Sequence, residues 1–494
     1  MRLTALYKGF VNLKPVGFWP GFLVGLIYFS YVFWWFWSVH HLTLLGTGNR
    51  FIAFIIILIP FVLTILIMAL FWGAFTYFIF KFLKSNMTFL APFFCASAFV
   101  LLEYLRAWAF GILWFGRGGL LGPHWTLGNP AYLFADLDLI RQFSSYWGIY
   151  GISFVLVFII SAFLLIPYLR KRGLYWLILE ISSVFLILTV ANFISLKQVR
   201  GFEHKKLIIS IIQTMNPIKI IYEPGEILDD FSKKTELIKV AAKNSDIIVF
   251  PENADFSKTL SLFLEPGSAQ KFFSTLSGKS VLIVDSNRIS ETDGIKSKSV
   301  LIDSKNGFVG FYDKKLLTPG GESLPLIASI FEYISGNKLV SSRAIFSRGL
   351  EDNVLSYGDM LIELLTCSDI ISPNMARKDG IEFIINSSNL AVFNGNRLIA
   401  GQLLATARYR AAENRKYLVI SSNFGLSQII DPFGNIVKST DSTGYKILTG
   451  DIVPNQTRTW YNKLGDWPVL LLSLAIFGLG LIRYRSANQN KNFS

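Results

Sequence analysis

Six apolar stretches limit what this chain can become. They run over residues 18–37, 51–80, 90–114, 146–169, 174–196 and 467–482, against the ~20 apolar residues a helix needs to cross a bilayer. The second is longer than one crossing requires and carries Pro60, which predicts a tilted or kinked helix. The last is short. The first continues to spanning length without a small-residue cleavage site, so it reads as a retained helix and not a cleaved signal. Five crossings before residue 200 and one near the end leave a single large segment, 197–466, on one side.

Flanking charges choose that side. Arg2 and Lys8 precede the first span, Lys81 and Lys84 follow the second, Arg170, Lys171 and Arg172 follow the fourth, and Arg483 and Arg485 follow the sixth. All four groups fall on one face, which the positive-inside rule makes the cytoplasm. The large segment is therefore expected outside. In the third span Glu103 and Arg106 are three apart and share a helix face. A charge inside a membrane is a functional candidate; a buried pair that only orients helices is the equal alternative. The link 115–142, rich in Gly and aromatics with Arg117, His124, Trp125 and Tyr132, reads either as an element on the outer bilayer surface or as a plain connection.

Composition narrows the class further. The chain is 52% hydrophobic and 16% charged, too apolar for an ordinary soluble protein and too charged for a pure helical bundle. The net charge of +14 comes from scattered Lys and Arg with no basic, aromatic-laced module. Cytoplasmic loops and anionic head groups account for it, and no nucleic-acid partner is expected. Two cysteines, one of them (Cys95) inside a span, exclude a disulfide framework.

From Lys206 the pattern changes. Short β-branched runs at 207–212, 246–250, 280–285, 298–302, 308–312, 361–365, 383–386 and 417–421 predict strands. Helical stretches are expected near 225–243 and over 398–414, the latter carrying Arg408, Arg410 and Glu413, and 431–435 reads as a turn between strands. The alternation argues for a layered α/β domain. The expected division is a membrane domain over 1–200 with five transmembrane helices, an extracytoplasmic catalytic domain over 201–464, and a closing helix with a polar tail over 465–494.

Chemistry then depends on three strand ends. The histidines are His40, His41, His124 and His204, none near an acidic or cysteine motif, which argues against a histidine-based metal site or a Ser-His or Cys-His triad. Neither GxxxxGK[ST] nor a strand-linked GxGxxG is present, so nucleotide chemistry has no support. Cys367 ends the apolar run of Met-Leu-Ile-Glu-Leu-Leu-Thr-Cys-Ser-Asp. Without a histidine, a thiol nucleophile needs a carboxylate to take its proton and a fixed cation to hold developing negative charge. Glu252, in Phe-Pro-Glu-Asn, and Lys314, in Tyr-Asp-Lys-Lys, fit by type and by position. Taken singly, each has a plain reading: a helix-start carboxylate, a surface lysine, a small buried hydrophobe.

The segments FPEN, YDKKLLTPGGE, LLTCSD, NSSN and SSNFG…DPFGN resemble those of the nitrilase, or carbon–nitrogen hydrolase, superfamily. Within it, the five preceding spans and the single closing span resemble the bacterial apolipoprotein N-acyltransferase family, as do EYLRAW, FSRG, ARYRAAE and GDWP. The likeness runs from about Pro15 onward, with six spans where that family typically has eight; losing a hairpin preserves sidedness. The resemblance implies a multi-pass α-helical membrane domain plus an α/β nitrilase-like αββα sandwich. It implies Glu252 as general base, Lys314 as oxyanion stabiliser, Cys367 as nucleophile, Glu322 as the second glutamate that orients the lysine, and the backbone N–H of Ser368 in the oxyanion hole. Departures flank the nucleophile: Cys367-Ser368-Asp369 where the family has Cys-Tyr-Glu, Phe250 before Pro251-Glu252 where it has Trp, and Leu390 and Val392 where it has an acid and an aromatic.

The implied reaction moves a fatty acyl chain from a membrane phospholipid, through a Cys367 thioester, to the N-terminal amine of a diacylglyceryl-cysteine lipoprotein. No cofactor or metal is needed. The expected setting is a monomer in the bacterial inner membrane with its catalytic domain on the periplasmic side. The alternatives are the same chemistry on another amine or amide, and a silent protein that binds lipoprotein precursors.

Overall fold

A computed structural model describes residues 17–39, 49–83, 90–166, 171–200, 206–219, 222–263, 268–335 and 346–492. Arg2, Lys8, Lys84, Arg170, His40, His41 and His204 lie outside them, as do the side chains of Lys171, Arg172 and Arg485. Among the described residues five helices are long and apolar enough to cross a membrane, and Trp467–Arg483 forms a sixth, shorter apolar helix. They belong to α1 (Trp19–Val32), α2 (Arg50–Leu83), α3 (Ala91–Leu113), α4 (Asp138–Leu165) and α5 (Lys171–Arg200), which open the chain, and to the closing helix Trp467–Asn492. That last helix carries on into the polar tail as far as Asn492. Pro20 opens the first turn of α1, where its missing N–H costs nothing. Pro60 sits inside α2 without ending it. In α4 the backbone leaves helical geometry at Gly148 (φ +63°), where a Cβ would lie 2.2 Å from the Tyr461 ring. Only glycine fits that approach.

Two six-stranded sheets form the rest. The first runs β12 (Lys446–Ile452), β1 (Leu207–Gln213), β2 (Ile247–Val249), β3 (Leu282–Glu291), β4 (Gly294–Asp303), β5 (Gly307–Asp313). The second runs β11 (Ile436–Ser439), β10 (Gln428–Ile430), β9 (Tyr417–Asn423), β8 (Phe383–Asn389), β7 (Met360–Thr366), β6 (Val354–Tyr357). The central pairings β1–β2–β3 and β7–β8–β9 are parallel, so these strands are buried on both faces and read as near-continuous apolar runs. Alternate side chains sort into layers. Ile209, Ile211, Val249 and Val284 meet Ile362, Leu364, Phe383 and Val419 between the sheets. Ile212, Ile248 and Ile283 face outward under α6 (Pro224–Ala241), α7 (Phe256–Phe263) and α8 (Ser268–Thr275).

The outward face of the second sheet is covered differently. Leu365, Ile384, Leu418 and Ile420 pack with Ile399, Ala407 and Ala411 of α9 (Arg397–Asn414), and the same cluster continues into Phe29, Phe33, Phe61, Met68, Phe110 and Trp114 in and just after the apolar helices. One apolar core therefore passes from the spanning helices into the sandwich. At about 25 cal/mol per Å² of buried apolar surface, a shared core of large aromatics resists separation far more than a tether would.

The link 115–142 is no plain loop. Gly116–Arg117 pairs with Leu324–Pro325 as a two-residue antiparallel ribbon. Trp125, Leu127, Ala131 and Tyr132 are buried, and Thr126 Oγ1 donates to the Ile371 carbonyl at 2.8 Å. The intramembrane pair is satisfied internally. Arg106 Nε and Nη2 bond Glu103 at 3.0 and 2.9 Å, Arg106 Nη1 donates to the Leu127 carbonyl at 3.0 Å, and Trp72 Nε1 donates to Glu103 at 3.2 Å. It ties α2, α3 and the link together, which is the orienting role.

Candidate active site

Glu252, Lys314 and Cys367 each stand just past a strand, and Glu322 sits in the turn that begins at Thr318. Glu252 follows β2 through Phe250, whose N–H reaches the Val284 carbonyl at 2.8 Å. The chain then turns through Asn253 (φ +57°) and Asp255 (φ +52°), residue types that tolerate the left-handed region. Lys314 follows β5: its N–H donates to the Ser297 carbonyl at 3.0 Å, and its carbonyl accepts from Gly349 at 2.9 Å. A Cβ on Gly349 would lie 2.1 Å from the Asp313 carbonyl oxygen, so the FSRG segment closes over Lys314 only as glycine.

Cys367 follows β7 in the left-handed region (φ +47°) and opens the short 3-10 turn Cys367–Ile371. Such a non-glycine conformation costs of order 1–3 kcal/mol and persists only where its surroundings impose it. Here they do. Thr366 and Asp369 cap one another, with Thr366 N donating to Asp369 Oδ2 at 2.9 Å. The same carboxylate accepts from Tyr312 Oη at 2.9 Å and from Leu316 N at 2.8 Å. Asp369, one carbon shorter than glutamate, thus binds the cysteine turn to the lysine loop. Ser368 Oγ donates to the Leu316 carbonyl, fastening the two segments again.

The three strand ends converge. Lys314 Nζ lies 2.9 Å from Glu252 Oε1 and 2.9 Å from Glu322 Oε1; Glu322 Oε2 accepts the Thr318 N–H at 2.8 Å. Lys314 and Glu252 are buried, so neither the surface-lysine nor the helix-start reading applies. Cys367 Sγ is 4.0 Å from the Asn389 carbonyl, and Asn389 Nδ2 reaches the Glu252 carbonyl at 3.4 Å. Asn389 and Asn423 are register partners on parallel strands, and Asn423 Nδ2 donates to Asn389 Oδ1 at 2.9 Å. That pairing is why the NSSN and SSNFG segments both end here.

Electrostatics follow from burial and from two carboxylates sharing one ammonium. Burial opposes the charged form of Lys314, but Glu252, Glu322 and Cys367 outweigh it and hold the ammonium well above its ordinary range. Burial, helped by Glu322, raises the Glu252 carboxyl against the pull of Lys314. The Cys367 thiol is pushed up to about 12, chiefly by burial and then by Glu252, with Lys314 opposing. The resting cluster is a protonated thiol beside a carboxylate and a fixed cation. It can pass a proton from sulfur to carboxylate as sulfur attacks, and hold negative charge on an attacked carbonyl.

Sequence reasoning did not find what supports the cysteine turn from behind. Arg410 is buried; its Nε donates to the Ile370 carbonyl at 3.2 Å, Nη2 to Tyr132 Oη at 2.8 Å, and Nη1 pairs with Glu413. The Arg410/Glu413 spacing on a predicted helix was the available signal.

The sequence model of the carbon–nitrogen hydrolase family matches residues 210–462, and that of the apolipoprotein N-acyltransferase N-terminal domain matches residues 3–162. The apolipoprotein N-acyltransferase of Photobacterium profundum is 27% identical over 78% of this chain and 72% of its own length. That of Geobacter metallireducens is 29% identical over 72% of this chain and 70% of its own. The crystal structure of Saccharomyces cerevisiae Nit3, of the nitrilase superfamily, matches 51% of this chain and 91% of its own, with 18% identity and a TM-score of 0.37.

Proposed function

The chain belongs to the carbon–nitrogen hydrolase family, and from that premise we propose that it is a membrane acyltransferase moving a fatty acyl chain from a phospholipid to the N-terminal amine of a diacylglyceryl-cysteine lipoprotein. Relatives named apolipoprotein N-acyltransferase support acyl transfer. The observation that carries the reading is Lys314 bridging Glu252 and Glu322 at 2.9 Å each beside Cys367.

The reaction has two halves. In the first, Glu252 takes the Cys367 proton as sulfur attacks the donor's ester carbonyl. The Lys314 ammonium and the Ser368 N–H hold the oxyanion. Its collapse breaks the ester C–O bond, and Glu252 returns the proton to the departing lysophospholipid oxygen. In the second half, the lipoprotein amine attacks the thioester carbonyl, Glu252 takes its proton, and the sulfur leaves and is reprotonated. A thioester suits the relay, since an amine attacks it far more readily than an oxygen ester.

The setting is a bacterial inner membrane, with residues 1–200 and 465–494 in and below it and 201–464 on the periplasmic face. Two contacts support that sidedness. Trp35 stacks edge-on against Phe393 at 5.1 Å, where α1 ends and the sandwich begins. At the opposite ends of the helices Phe78 meets Phe477 at 5.6 Å, near the basic Lys81 and Arg483. The test is transfer by purified protein from phospholipid vesicles to a synthetic diacylated lipopeptide. An amide-linked third chain is expected; no transfer contradicts the reading.

A further inference from the structure

One cation at the rim of this cluster, Arg288, makes no salt bridge among the described residues and acts on Glu252 and Asp255 only at longer range. Arg288 on β3 stands directly opposite Ser297 on β4, and opposed residues of an antiparallel pair project from one face. Ser297 Oγ lies 3.4 Å from Glu252 Oε1 and 3.4 Å from Asn253 Oδ1. The Arg288 side chain therefore shares a face with the candidate base. Its guanidinium rests over the Phe346 ring, 5.7 Å from the centroid, a contact that fixes the plane of the fork. The residue is half-buried, and its Nε is enclosed without a hydrogen-bond partner among the described residues. The neighbouring carboxylate, Asp255, pairs with Lys258 at 3.8 Å and takes the backbone N–H of Arg288 at 2.7 Å, so the guanidinium feels it only at longer range.

A solvated surface arginine would be mobile and unremarked. This one is stacked, partly dehydrated and short of an acceptor, a condition that costs free energy until an anion completes it. Lys314 cannot serve that anion, since two carboxylates already share it. The planar fork matches the paired oxygens of a phosphate better than a lysine would. In a glycerophospholipid the phosphate lies a few bonds from the ester that must reach Cys367.

We propose that Arg288 binds the head-group phosphate of the acyl donor and so selects phosphate-bearing lipids over neutral esters. The inference rests on the acyl-transfer reading above. Its test is a ratio: kcat/KM for phosphatidylglycerol in mixed micelles divided by kcat/KM for p-nitrophenyl palmitate, an ester without phosphate. Arg288→Gln is expected to lower that ratio roughly tenfold or more, the scale of a lost charge-assisted hydrogen bond, and Arg288→Lys to restore part of it. An unaltered ratio in Arg288→Gln overturns the assignment. Should the Gln variant turn over neither ester, the Lys variant decides: a several-fold fall supports the site, and no change overturns it. Free phosphate shares the same chemistry. Inhibition of both esters by millimolar inorganic phosphate, abolished by Arg288→Gln and without a fall in the ratio, would assign the site to the free ion and overturn the head-group reading. Wild-type protein acylated by neither ester would instead overturn the acyl-transfer reading itself.

Discussion

Glu322 holds Lys314 from outside the sheet: its Oε1 lies 2.9 Å from Nζ while its Oε2 accepts the Thr318 N–H at 2.8 Å. The turn Thr318–Glu322 thereby fixes the ammonium that Glu252 also holds. Glu322→Gln keeps a hydrogen-bonding group and deletes a charge. We predict a fall in kcat of roughly 10²-fold, the scale of losing one preorganised electrostatic group. Glu322 also raises the Glu252 carboxyl, so its removal should lower that pKa. The base must be ionised to act; the acid limb of the wild-type pH–rate profile should therefore lie above the usual carboxylate range, and that of Glu322→Gln below the wild-type limb. Rates measured from pH 4 to 8 check both.

Cys367 should resist alkylation. With its thiol pushed up to about 12 by burial and by Glu252, its thiolate fraction near neutrality is of order 10³-fold below that of a free cysteine, each pKa unit being tenfold. Iodoacetamide labelling followed by mass is expected to be correspondingly slow. Glu252→Gln removes a negative neighbour and should speed labelling while it depresses acyl transfer. Slower labelling would contradict the claim that Glu252 raises the thiol, and undiminished transfer would contradict its assignment as base.

Arg410 is a positioning residue, holding the turn that starts at Cys367 by the Ile370 carbonyl. Arg410→Ala leaves Glu413 buried without its partner and should cost about 3–5 kcal/mol of stability. Arg410→Lys keeps the charge but cannot reach Ile370, Tyr132 and Glu413 together. It should lower kcat more than it changes KM, with a smaller drop in unfolding midpoint than Ala.

Glu363, on the cysteine strand, is raised to about 8 by burial; Asn353 donates to Oε1 at 3.0 Å, and Oε2 has no partner among the described residues. A carboxyl whose folded pKa exceeds its unfolded value contributes stability below the unfolded pKa and loses it as pH rises through the folded one. Relative to Glu363→Gln, the wild type should therefore lose about 1.4 kcal/mol per pH unit between roughly pH 5 and 8. Unfolding midpoints in detergent for both proteins measure it.

Much of this was legible because it is local. Apolar runs ending at Glu252, Lys314 and Cys367 marked strand ends, and the structure puts those ends together at the lysine. The spans were legible for the same reason. What escaped depends on register and packing. Arg288 reaches the face of Ser297 only because Thr292–Asp293 is a two-residue turn, with Glu291 paired to Gly294. The strands Val354–Tyr357 and Lys446–Ile452 alternate weakly and gain their place from neighbours. The link 115–142 looked like a loop because its partners, Leu324 and Ile371, are distant in sequence.

The central claim is that Cys367 carries the acyl group. Intact mass of purified protein incubated with phospholipid, beside Cys367→Ala, addresses it directly. The wild type is expected to gain one fatty acyl chain that hydroxylamine removes and that the variant lacks. No adduct on a reduced, folded wild-type protein, or an equal adduct on Cys367→Ala, would contradict it.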